Sequence, residues 1–220
     1  MKTSAAAIIP AAGSGTRMKA ACPKQYILLD GKPILVHAVS AFHRNSAIQA
    51  IIVAVPEDRI DSTRELLHQW QLGDKTSVIA GGLRRQDSVK AGLDCLDESI
   101  TTVLVHDGAR PLVSDELISR CLDEASLHGA AIAAIPVKDT LKRADGHNVI
   151  TGTVDRTHLW QAQTPQAADV KLLRLAFEAA GGIDATDEAS LLERAGIPVR
   201  LVRGSESNIK TTQPEDLIIA

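Results

Sequence analysis

Short unbroken apolar runs alternate along this chain with longer stretches whose apolar residues recur every three or four positions. Ala5 to Ile9, Ala50 to Val55, Ser77 to Ile79, Thr102 to His106, Ala130 to Val137 and Val199 to Val202 read as buried strands. Pro33 to Phe42, Ile60 to Gln71, Asp87 to Cys95, Asp115 to Leu127, Val170 to Ala180 and Glu188 to Ala195 carry helical spacing, and a last helix is expected from Pro214. This order predicts βαβ units, and so an α/β domain with a mainly parallel sheet and helices on both faces. In such sheets ligands collect beyond the carboxyl ends of the strands.

One stretch breaks the rhythm. From Lys138 to about Gln163 the chain is polar, holds the turn Ala144-Asp145-Gly146, and is flanked by the short runs Thr140 to Lys142 and Val149 to Val154. A two-stranded excursion is expected there. A hairpin of that size is marginal in water on its own, so it calls for something to pack on, and a second subunit is the economical choice.

Composition narrows the function. At 220 residues, with 45% hydrophobic and 23% charged residues, the chain suits one domain over 1–220 with that excursion. Aromatics are only 2% and the formal net charge is -3, with no basic stripe, which argues against nucleic acid as a partner. Cys22, Cys95 and Cys121 are widely spaced and form no C-x-x-C pair. They offer neither a disulfide framework nor a zinc site and suit the cytoplasm. The apolar start, Ala5 to Ala12, contains Pro10 and runs into Gly13-Ser14-Gly15, so it reads as a strand rather than a signal peptide. No segment is long enough to span a membrane.

Three loops carry candidate chemistry. Pro10-Ala11-Ala12-Gly13-Ser14-Gly15-Thr16-Arg17-Met18 follows the first strand; its glycines alone read first as a tight strand-to-helix turn with an exposed Arg and Lys, and otherwise as small residues that let backbone donors approach an anion, with Arg17 adding a fixed positive fork. Pro23-Lys24-Gln25 brings a second cation near. The loop lacks the Lys-Ser or Lys-Thr of a P-loop and the third glycine of a dinucleotide fingerprint. Gly81 to Val89 follows another strand; Gly82 offers backbone freedom beside a base, and Ser88 falls in the first turn of a helix capped by Asp87. At Val105 to Pro111 a buried strand ends in Asp107, which suits a hard cation such as Mg²⁺ or, equally, an ion pair with Arg110. Lys138-Asp139-Thr140, Asp155-Arg156, Gln163 to Gln166, Thr186-Asp187-Glu188 and Asn208 to Thr211 read by spacing alone as solvated polar loops, with Thr186 a possible cap for the helix after it.

Taken in order, Ala11 to Met18, Pro23 to Tyr26, Val105 to Pro111, Thr164-Pro165-Gln166, Thr186 to Ala189 and Asn208-Ile209-Lys210 resemble the 2-C-methyl-D-erythritol 4-phosphate cytidylyltransferases of the non-mevalonate isoprenoid pathway. The resemblance runs from Ile8 to about Asp216. It implies a Rossmann-like fold, a projecting β-arm that builds a homodimer, and use of CTP with Mg²⁺. It further implies catalytic roles for Arg17, Lys24, Arg156 and Lys210. The nucleotide would be held by Ala11, Ala12, Gly13, Gly82, Ser88 and Asp107, the metal by Asp107, and the acceptor by Thr140, Arg156, Thr164, Thr186 and Lys210. Arg156 on the arm would reach the partner's site. The acceptor phosphate is ionised near neutral pH, so its in-line attack on the α-phosphate of CTP needs no general base. Three rivals are weaker: transfer to another polyol phosphate such as ribitol 5-phosphate, a non-catalytic nucleotide-binding scaffold, and an NAD-dependent oxidoreductase. No appended second enzyme domain is expected.

Overall fold

A computed structural model describes residues 4–13 and 23–219. Seven strands form the central sheet: β1 (Ala5–Pro10), β4 (Ile48–Val55), β5 (Thr76–Ala80), β6 (Thr102–Val105), β7 (Ala130–Pro136), β10 (Trp160–Asp169) and β11 (Arg200–Arg203). Their spatial order is β11-β7-β10-β6-β1-β4-β5. The pairs β1–β4, β1–β6, β4–β5 and β7–β11 are parallel. Among the described residues of this sheet, β10 alone runs antiparallel, between β6 and β7. A small antiparallel pair, β2 (Leu28–Leu29) and β3 (Lys32–Pro33), precedes the first helix.

Alternation along β1 shows why the sheet is covered twice. Ala5, Ala7 and Ile9 join Leu35, Val39, Phe42, Leu104 and Leu117 on one face. Ala6 and Ile8 join Val89, Leu93, Val103, Leu173 and Leu191 on the other. The first face lies under α1 (Ile34–Arg44), α2 (Ile60–Gln69) and α4 (Asp115–His128). The second lies under α3 (Arg85–Asp94), α5 (Val170–Ala180) and α6 (Glu188–Arg194). A Cβ on Gly92 of α3 would stand 2.7 Å from Ile8, so glycine there sets how closely α3 can seat on β1. Ser114 and Asp169 cap α4 and α5 by accepting from backbone N–H groups.

The strand and helix expectations hold within a residue or two at most ends, and three points need correction. The segment around Thr164 is not a solvated loop but part of β10, a ten-residue strand in the middle of the sheet. The polar excursion therefore ends earlier than expected, since Trp160 already pairs with Pro136. Asp87 is not the cap of α3: Arg84 takes that position, and Asp87 accepts its backbone N–H from three residues on. The last helix, α7, spans Asp216–Ile219.

Within the excursion β8 (Leu141–Ala144) pairs antiparallel with β9 (Ile150–Val154) in a sheet of their own. The turn is organised by Asp145, whose carboxylate accepts from the N–H groups of His147 and Val149. Val149 and Ile150 are exposed. Among the described residues no helix is long and apolar enough to cross a membrane.

Candidate active site

Beyond the carboxyl ends of β1, β5 and β6 lies a cavity of about 270 Å³. Ala11, Ala12, Gly13, Lys24, Gly82, Ser88, Asp107 and Lys210 all line it, so eight of the residues expected in the site converge. Arg17 lies outside the described residues. Local structure explains the convergence. The buried Gln25 donates its side-chain amide to the carbonyls of Ala11 (2.5 Å) and Gly13 (3.3 Å), fixing the turn after β1. Lys24 precedes it in a short 3₁₀ turn, its ammonium 3.4 Å from the carbonyl of Thr211.

On the opposite wall the N–H of Gly82 donates to Ser88 Oγ at 3.0 Å. A Cβ on Gly82 would stand 2.3 Å from that of Asp87, and one on Gly81 would stand 2.6 Å from that of Ala12. Close approach, rather than a left-handed φ, is what demands glycine at Gly82.

Asp107 sits at the centre. Its N–H follows β6 and donates to Thr164 Oγ1 at 3.1 Å. One carboxylate oxygen accepts from Arg85 Nε at 3.0 Å, while the other lies 2.8 Å from Lys210 Nζ and 3.6 Å from Arg110 Nε. Burial works against its charge, but Arg85, Lys210 and Arg110 together outweigh it and hold the carboxyl well below the usual range. Arg85 is itself chelated by Glu188, with bonds of 2.7 and 3.0 Å. Glu188 is 2% exposed. Burial opposes the charge on Arg85, yet Glu188 and Asp107 raise its pKa above the ordinary value.

The neighbouring His106 is fully buried, and burial pushes its pKa down to about 4. Nε2 lies 3.1 Å from the carbonyl of Arg110, an acceptor, so that nitrogen carries the proton. Nδ1, 3.0 Å from Thr164 Oγ1, then accepts the Thr164 hydroxyl. The Thr164 hydroxyl proton is thus committed to the protein, which leaves that oxygen as an acceptor.

A second cavity, also about 270 Å³, lies on the far side of this cluster and is lined by Thr164, Thr186 and Lys210 among others. Arg85, Asp107 and Lys210 border both cavities and form the wall between them. Lys210 reaches the wall because its loop is clamped. Asn208 donates to the carbonyl of Thr164 (2.8 Å), and Thr211 donates through both N–H and hydroxyl to the carbonyl of Ala109. Thr186 is not the cap of α6; Asp187 is, accepting from Ser190 N–H. Thr140 and Arg156 line neither cavity. Both are exposed on the arm, and Arg156 donates to the carbonyl of Val137 at 3.4 Å.

Among the described residues no group of three or more His, Cys, Asp or Glu side chains is placed to hold a metal, and Asp107 is the acid lining the first cavity. A single strand-end carboxylate fits a magnesium ion that arrives on phosphate oxygens, since such ions use one or two carboxylates and the substrate for the rest.

A family model described as 2-C-methyl-D-erythritol 4-phosphate cytidylyltransferase matches residues 5–220. The chain belongs to this family. It is 58% identical over 98% of its length to the bifunctional enzyme IspD/IspF of Desulfotalea psychrophila, and spans 55% of that longer relative. To the 2-C-methyl-D-erythritol 4-phosphate cytidylyltransferase of Syntrophus aciditrophicus it is 45% identical, covering 100% of this chain and 95% of the relative. Among solved structures, the 4-diphosphocytidyl-2C-methyl-D-erythritol synthase of Anaerococcus prevotii superposes with a TM-score of 0.85 at 32% identity, covering 99% and 94% of the two chains.

For this chain the fold agrees with the sequence reading and the expected loops converge, while several residues that line or brace the site carried no expectation. Arg85 stands in the Gly82-Leu83-Arg84-Arg85 run, and a basic pair beside a glycine turn was its only signal. Its partner Glu188 lies 103 positions away, and a pairing so distant leaves no trace in spacing. Gln163, Thr164, Gln166, Glu188 and Asn208 are buried rather than solvated.

Proposed function

We propose that the family's reaction runs across the wall formed by Arg85, Asp107 and Lys210, with nucleotide in the first cavity and acceptor in the second. The chain transfers CMP from CTP to 2-C-methyl-D-erythritol 4-phosphate, giving 4-diphosphocytidyl-2-C-methyl-D-erythritol and pyrophosphate. A phosphate oxygen of the acceptor bonds to the α-phosphorus, the bond to the bridging α–β oxygen breaks, and its electrons leave with pyrophosphate. The observation that carries this reading is one cationic wall shared by two adjoining cavities.

The difficulty of the reaction is electrostatic, because two anions meet while charge spreads over the equatorial oxygens of phosphorus. Positioning and preorganised cations are what such a step requires. Lys24 borders the nucleotide cavity and Lys210 borders both; with Arg17 they would stabilise that charge. Ala11, Ala12, Gly13, Gly82 and Ser88 would shape the nucleotide cavity, and Thr164, Thr186 and Lys210 the acceptor cavity. Asp107 would hold Mg²⁺, which supplies neutralisation of phosphate charge when bound. Lys210 now gives one of its three N–H donors to an Asp107 oxygen, which leaves two for the acceptor phosphate.

Exposed apolar residues on the arm support a homodimer, with Thr140 and Arg156 completing the acceptor site of the partner. Sedimentation equilibrium tests the assembly, and a monomer at micromolar concentration would remove it. Arg156→Ala should raise the acceptor KM about tenfold or more, the scale of a lost charged hydrogen bond, and leave that for CTP within twofold. An unchanged kcat/KM for the acceptor counts against Arg156. The cytoplasmic location read from the cysteines belongs to the same proposal.

Incubation with CTP, Mg²⁺ and 2-C-methyl-D-erythritol 4-phosphate tests the reaction, with pyrophosphate release as the readout. Ribitol 5-phosphate serves as the competing acceptor and should turn over poorly. CTP binding with no turnover of either acceptor would instead indicate a nucleotide-binding scaffold.

A further inference from the structure

The first turn of α3 faces two ways. On one side Arg84, Arg85 and Ser88 line the nucleotide cavity. From the same turn, side chains reach about a hundred residues along the sequence to grip the segment that leads into α6. Arg84 Nη1 donates to the carbonyl of Gly182 at 2.9 Å. Gln86 Nε2 donates to the carbonyl of Ile183 at 3.0 Å, and Gln86 Oε1 accepts the N–H of Ala185 at 2.6 Å. Arg85 chelates Glu188. Between these anchors lies Thr186, which borders the acceptor cavity.

Gln86 is the informative member of this set. It is 6% exposed and, unlike Arg84 and Arg85, lines neither cavity. Its amide satisfies one carbonyl and one N–H two residues apart, which fixes both the position and the orientation of that backbone. The next residue after this clasp is Thr186.

We propose that Gln86 is a positioning residue for the acceptor: its side-chain amide fixes the 183–185 backbone and thereby sets Thr186 against the second cavity. This rests on the assignment of that cavity to the acceptor. The consequence is asymmetric, because Gln86 itself touches neither substrate. Loosening the clasp misplaces the acceptor wall while the nucleotide loop, tied by Gly82 N–H to Ser88, keeps its own hydrogen bond.

The test compares wild type with Gln86→Met, which keeps the side-chain length and apolar volume but removes both hydrogen bonds, and with Gln86→Ala, which removes volume as well. Steady-state kinetics are measured for CTP and for 2-C-methyl-D-erythritol 4-phosphate, and melting temperature is followed alongside. The acceptor KM should rise about five- to tenfold in Gln86→Met, the scale of about one net hydrogen bond, with the KM for CTP within twofold. Gln86→Ala should match or exceed that rise. Equal increases in both KM values, or a lowered melting temperature with both KM values unchanged, would show a merely structural role and overturn the proposal. If Gln86→Ala fails to fold, Gln86→Met alone decides. Wild type in the same assay reports separately on the assigned reaction: absence of turnover there sinks the functional reading, whereas normal wild-type turnover with an unaltered Gln86→Met sinks only the role of Gln86.

Discussion

Lys24→Ala should lower kcat by about 10²–10³-fold, the usual scale for removing one preorganised donor from a developing oxyanion. The CTP already carries its negative charge before reaction, so part of the lysine's attraction is present in the ground state and would appear in KM. What changes on the way to the transition state is charge on the oxygens around the α-phosphorus, and only stabilisation that grows there enters kcat. Lys24 borders the nucleotide cavity beside Gln25, which is bonded to the turn after β1, so its backbone is held in register with the loop it serves. Arg17→Ala should behave similarly, because it belongs to the same loop in sequence. Lys24→Arg should recover only part of the loss, since a planar fork cannot take the place of a compact ammonium without shifting its charge. Turnover near that of wild type in both alanine variants would remove these cations from the mechanism.

Glu188→Ala should destabilise the fold by about 3 kcal/mol, at the lower end of what breaking a buried ion pair costs. The lower end is expected because Arg85 would keep its bond to Asp107. Urea denaturation measures the change. A second variant separates structure from chemistry. In Arg85→Met with Glu188→Leu no charge of the pair is left uncompensated, and apolar replacements of such pairs are often neutral in stability. This double variant should recover most of the lost stability yet remain a poor enzyme, since Asp107 loses the Nε donor that orients one of its oxygens. Recovery of both stability and turnover would show that the pair serves the fold alone.

How much of this was readable in the chain depended on the range of the forces involved. Continuous apolar runs such as Ala5 to Ile9 and Ala50 to Val55 can satisfy themselves only inside a covered sheet, so their fate is local information. The rule that ligands gather beyond the carboxyl ends of parallel strands then brought Gly13, Gly82 and Asp107 together correctly. The strand β10 resisted because its central residues are polar. Gln163, Thr164 and Gln166 spend their side chains on Ser205, His106, Asp187 and Ala189, and a strand that serves a site loses the apolar signature of a strand. The Arg85–Glu188 pair and the Gln86 clasp were invisible for a different reason, since each joins segments brought near only by the completed fold. At Thr186 a hydroxyl and the adjacent Asp187 carboxylate are both capping side chains, and Asp187 took the position.

The partition built from Arg85, Asp107 and Lys210 has a consequence for anyone wishing to redesign this catalyst. A divider common to two compartments cannot be altered for one occupant without disturbing the other. On the proposed assignment, changes meant to admit a different nucleotide therefore belong at the outer margin of the first cavity near Leu83, and changes meant to admit a different polyol belong near Thr186. Libraries aimed at the divider itself should return mostly inactive clones.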